Sequence, residues 1–143
     1  MKRKITIFFF TLLLLFIGVG CNQQKAKATL IATEENRIVL RIEQGGDNAV
    51  LLDALNGLQA DGGMQFTFSG GMILSINGKE NQTQSATSGY SWMIYTSNTN
   101  LSYAEYGSQT YGESVCYSAA FGAEGLKVQK GETIIISYDF WQV

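Results

Sequence analysis

Eight aromatic residues, Tyr90, Trp92, Tyr95, Tyr103, Tyr106, Tyr111, Tyr117 and Phe121, fall in one stretch of the chain, interleaved with Gly, Ser, Asn and Gln. Such rings recognise other molecules: each offers broad apolar area and, in tyrosine, a hydroxyl, with few torsions to freeze. Tyr90, Trp92, Tyr95, Tyr103, Tyr106 and Tyr111 are therefore the candidate ligand-binding residues, suited to a planar or ring-shaped ligand. For Trp92, and for Tyr90, the competing reading is a place in the core, since alternate residues of a strand face inward. Bond-making chemistry has less to work with. The sequence has no histidine, which excludes His-dependent triads, His-metal sites and imidazole proton shuttles. Asp61, Glu80, Glu105, Glu113 and Glu124 are scattered and read as solvated carboxylates. Calcium loops and Gly-rich phosphate loops are missing from the sequence. The residues point away from an enzyme, with no catalytic residue, metal ligand or cofactor expected.

The elements that must hold these rings are mostly strands. Ile38, Leu40 and Ile42 alternate with Arg37, Val39 and Arg41, the period of a half-buried strand, and Gln44-Gly45-Gly46 ends it. Asp47 or Asn48 can cap a short helix running to Gln59, with Leu51, Ala54, Leu55 and Leu58 on one stripe. Met64 to Ser69 and Met72 to Ile76, joined by Gly70-Gly71, read as a hairpin, and Glu80 to Ser88 as a loop. Tyr90 to Tyr95 and Thr133 to Trp141 are strands, with a long connection from Thr96 to Gly125 in which Ser114 to Ala119 can form one more. Cys116 there reads as a small buried strand residue. One helix among strands in this order implies an α+β fold, a small mixed sheet with the helix on one face.

The first 22 residues carry a separate message. Met1 to Lys4 is basic, Ile5 to Gly20 is apolar, and Gly18-Val19-Gly20 precedes Cys21-Asn22. This resembles a bacterial lipoprotein signal, in which Cys21 is acylated and becomes the first mature residue. An uncleaved anchor and an ordinary cleaved signal are the alternatives, and the apolar run is short for a span of about 20 residues. The division expected is a signal over residues 1–20, the lipidated cysteine and a tether over 21–36, and one domain over 37–143. Lys2, Arg3 and Lys4 leave with the signal, so seven basic and twelve acidic residues remain, a formal charge of −5. That balance argues against nucleic acid as a partner.

Four short motifs, in order, carry a second resemblance: Val50-Leu51-Leu52-Asp53-Ala54-Leu55, Gly71-Met72-Ile73-Leu74-Ser75-Ile76-Asn77-Gly78, Tyr90-Ser91-Trp92-Met93-Ile94-Tyr95 and Val128-Gln129-Lys130-Gly131-Glu132-Thr133-Ile134. Together they resemble the family of domains similar to the C-terminal domain of transcobalamin, over roughly Arg37 to Trp141. The resemblance implies a β-grasp-like fold, a lipid-anchored or secreted location on the extracytoplasmic face of a membrane, and a ligand that is a corrinoid such as cobalamin or another sizeable organic molecule. The alternative function is a cell-surface interaction module whose tyrosines contact a protein partner or a wall glycan.

Overall fold

The computed structural model describes residues 24–143; the expected signal, Cys21 and Asn22 lie outside the described residues. The chain begins with β1 (Lys27–Thr33), turns into β2 (Arg37–Gln44) and continues through helix α1 (Leu51–Ala60). β3 (Phe66–Ser69), β4 (Met72–Ile76) and β5 (Lys79–Glu80) form a small three-stranded sheet in that order. β6 (Gln82–Ser85), β7 (Ser88–Thr96), β8 (Ser102–Tyr111), β9 (Ser114–Ala119) and β10 (Thr133–Gln142) join the first two strands in a larger sheet. Its order is β1-β2-β10-β7-β9-β8, with β6 also on β7.

The protein is α+β, but its sheets are not mixed: every strand pairing among the described residues is antiparallel. β2 and β7 run the same way, and β10 lies between them, opposed to both. A parallel contact would have required those two to touch.

Alternation sorts the side chains onto two faces. Ile38, Leu40, Ile42, Trp92, Ile94, Ile134 and Ile136 turn toward α1, whose Leu51, Ala54, Leu55 and Leu58 are buried against them. Val39, Tyr95, Cys116 and Ile135 form a second cluster on the opposite face, with half-buried Ile31, Met93 and Tyr111. The β8–β9 hairpin folds over that cluster. Its tip reaches the far side of the sheet, where Arg37 Nη1 donates to the Thr110 carbonyl (3.2 Å) and the Tyr111 hydroxyl donates to the Ile31 carbonyl (3.4 Å).

Three local readings change. The helix starts at Leu51, with Val50 as its N-cap and no side-chain cap, so neither Asp47 nor Asn48 serves. Its first N–H groups go to backbone instead: Leu51 donates to the Leu126 carbonyl and Leu52 to that of Ala123, both at 2.9 Å. A tertiary strap thus does what a capping side chain does elsewhere. The ordered fold also begins before residue 37, because Lys27–Thr33 pairs with β2 and brings Ala28 and Leu30 onto the core. Finally, the stretches expected as loops contain β5, β6 and β8. Among the described residues no helix is long and apolar enough to cross a membrane.

Candidate functional site

The two sheets meet along β4 and β7 without merging. On the side away from β10, β7 pairs with β6 over Ser88–Tyr90 and with β9 over Tyr95–Thr96, and among the described residues no strand lies opposite Ser91–Ile94. Asn81 fills part of the gap. Its backbone N–H donates to the Leu74 carbonyl (2.9 Å), its side-chain amide donates to the Ile73 carbonyl (2.9 Å), and its Oδ1 accepts from the Trp92 N–H (3.0 Å). One residue ties β4 to β7 and satisfies backbone groups that a strand would otherwise have taken.

Beyond Asn81 the space opens into a groove of about 650 Å³. β4 contributes Met72, Ile73 and Leu74, β7 contributes Ser91 to Ile94, and Trp141 reaches in from β10. The segment from Ser118 to Gly122 forms the end wall. Gly71 and Gly122 make that wall possible: a Cβ on Gly122 would collide with the Gly71 carbonyl, and Gly71 itself sits at φ +83°. Ile73 and Trp92 are buried, whereas Met72 is 60% exposed, Phe121 52% and Leu74 37%. The rim is thus apolar and open to solvent.

Both tryptophans of the sequence line this groove. Each indole N–H is used within the protein: Trp92 donates to the Lys79 carbonyl (2.8 Å) and Trp141 to Ser91 Oγ (3.0 Å). What remains for a ligand is ring area. Of the sixteen lining residues none is charged.

The six aromatic residues singled out by sequence are not brought together. Trp92 lines the groove and is also core, as the competing reading had it. Tyr90 stacks on Tyr138 (5.6 Å between centroids, 13°) and meets Phe140 edge-on, a cross-strand ladder that Lys79 joins above the Tyr138 ring at 4.6 Å. Tyr95 lies on the opposite face, where its hydroxyl donates to Asp139 Oδ2 (2.5 Å) and the Ser137 hydroxyl donates to Oδ1 (2.7 Å). Burial first, then Asp139, holds the Tyr95 phenol well above the usual range. Tyr111 packs into that same cluster. Tyr103 and Tyr106 are exposed, the first at the edge of a bulge and the second within it: Tyr103 lies opposite Ser118 and Ser108 opposite Tyr117, leaving Ala104 to Gly107 unpaired. Gly107, at φ +112°, lets the chain rejoin the ladder.

Cys116 is fully buried and its Sγ lies 3.5 Å from the Thr133 carbonyl. Burial pushes the thiol up to about 11, the reverse of what a nucleophilic cysteine needs. Among the described residues no His, Cys, Asp and Glu side chains cluster in a way that could hold a metal ion.

Sequence reasoning missed Met72, Leu74, Asn81 and Trp141 as lining residues. A signal for the first two was available: Met72-Ile73-Leu74 is apolar at both parities, which a strand with one wet face has no reason to be. No family model matches the chain, and no curated protein or solved structure is significantly similar to it.

Proposed function

We propose that this protein is a binding module, lipid-anchored through Cys21 on the extracytoplasmic face of a membrane, and that the β4–β7 groove receives its ligand. The observation that carries the reading is the groove itself. A concavity of about 650 Å³, walled mainly by apolar and aromatic side chains with a few hydroxyls and an amide, has the size and make-up of sites that take small organic molecules. The order strand, strand, helix, hairpin, with one helix lying across the large sheet, supports a β-grasp-like relationship to the transcobalamin C-terminal type. On that relationship the first ligand to try is a corrinoid, which would insert one edge and rest against the exposed Met72, Leu74 and Phe121. With no histidine to ligate cobalt, packing and hydrogen bonds would have to hold it.

The alternative, a protein or wall glycan held by the tyrosines, ranks second. Tyr103 and Tyr106 stand at 86° to each other, 5.7 Å apart, and so give no flat platform for a sugar ring. Full-length protein in lipid vesicles should be titrated with cobalamin and cobinamide and followed by visible absorbance. A saturable one-to-one change that Met72→Glu removes supports the reading. An equal change in the variant puts the ligand elsewhere, and no change at millimolar corrinoid removes that ligand class.

A further inference from the structure

We infer that the β4–β7 groove takes an uncharged, largely apolar portion of its ligand and rejects an anionic group of the same shape; this rests on the groove being the ligand site. The chemistry of the walls carries the inference. A charge entering the groove leaves its hydration behind and must find fixed partners to replace it. Among the described residues no lining side chain is charged, and the polar side chains that line the groove are Asn81, Thr83, Ser91 and Ser118. Two of these are already engaged. Asn81 spends its amide on Ile73 and its carbonyl on Trp92, and Ser91 accepts from Trp141. Their remaining hydrogens and the Thr83 and Ser118 hydroxyls leave a few hydrogen bonds for a neutral molecule, with no fixed positive charge among them to replace an anion's hydration.

The apolar side suits a ring system. Trp141 presents ring area with its N–H already bonded, over a floor that includes the buried Trp92, and Met72 and Met93 bring flexible, polarisable thioethers that adapt to an occupant's outline. Met72 and Phe121 are more than half exposed, so apolar area there is still in water and available to a ligand.

The test is a pair of probes sharing one skeleton and differing by a sulfonate: N-phenyl-1-naphthylamine and 8-anilino-1-naphthalenesulfonate. Each is titrated into full-length protein in uncharged phosphatidylcholine vesicles. Binding is read as quenching of the two groove tryptophans, corrected for probe dissolved in lipid by titrating the same vesicles with N-acetyltryptophanamide in place of the protein. The neutral probe should saturate wild type and bind it at least about tenfold more tightly than the sulfonate, and Met72→Glu should weaken it by a similar factor. Equal binding of both probes, with both weakened by Met72→Glu, overturns the selectivity and leaves the groove as a site. Binding of neither, or binding indifferent to Met72→Glu, overturns the groove assignment itself.

Discussion

The β4–β7 groove and the Tyr103–Tyr106 bulge invite comparison, because both carry exposed rings and both arise where a sheet fails to continue. At the bulge four residues leave the β8–β9 ladder, and the two tyrosines lean on each other in solvent. At the groove two strands fail to meet, and the space between them is lined by residues from β4, β6, β7, β9 and β10. The bulge has more tyrosine. The groove has concavity, and concavity removes water from a ligand's surface, which is where apolar affinity originates. Aromatic density along a sequence is thus a poor guide to a site unless strand parity and edge pairing say where the rings go.

Substitutions in the two regions should separate them by size of effect. Trp92→Ala removes a buried ring that serves both core and groove, and should cost about 3–5 kcal/mol of folding stability, measured by urea denaturation. A loss below 1 kcal/mol would mean that the groove's floor is not continuous with the core. Next is Asn81→Leu, close in volume but unable to bridge, which leaves the Trp92 N–H and the Ile73 carbonyl without their partner. About 1–3 kcal/mol should be lost, with faster hydrogen exchange at Trp92. Unchanged exchange there would show that the two sheets are held by packing alone. Smallest of all, Tyr103→Ser combined with Tyr106→Ser should change stability by no more than about 0.5 kcal/mol, as exposed positions do. A larger loss would make the bulge a structural part of the hairpin and erase the contrast.

Much of the fold could be read before it was seen. β2 and β3 follow from alternation, β4, β7 and β10 from short apolar or aromatic runs beside turn residues, the helix stripe from the spacing of Leu51, Ala54, Leu55 and Leu58, and the burial of Cys116 from the general tendency of an unpaired cysteine to lie in a core. β1 escaped because Leu30 is the one large side chain on its core parity and Ile31 breaks the alternation at the register shift between Leu30 and Ala32, so its pairing depends on β2 rather than on its own composition. The cap at Val50 escaped because its hydrogen-bond partners lie more than seventy residues away, at Ala123 and Leu126. The groove was the least legible part. Nothing in Asn81 or Gly122 alone announces that one bridges two sheets and the other abuts Gly71. Both roles exist only once β4 and β7 stand side by side.

The place of β10 has a consequence for how the protein is made. Among the described residues β2 and β7 share no pairing and are joined only through Thr133–Gln142. Until that strand has been synthesised, the large sheet is two separate pieces, with Ile38, Leu40 and Ile42 on one and Trp92 and Ile94 on the other. Contacts this distant in sequence form slowly, since a long loop must close before it is rewarded. A nascent chain therefore leaves these two pieces unjoined, and the apolar residues that β10 would cover exposed, until Thr133–Gln142 has been made.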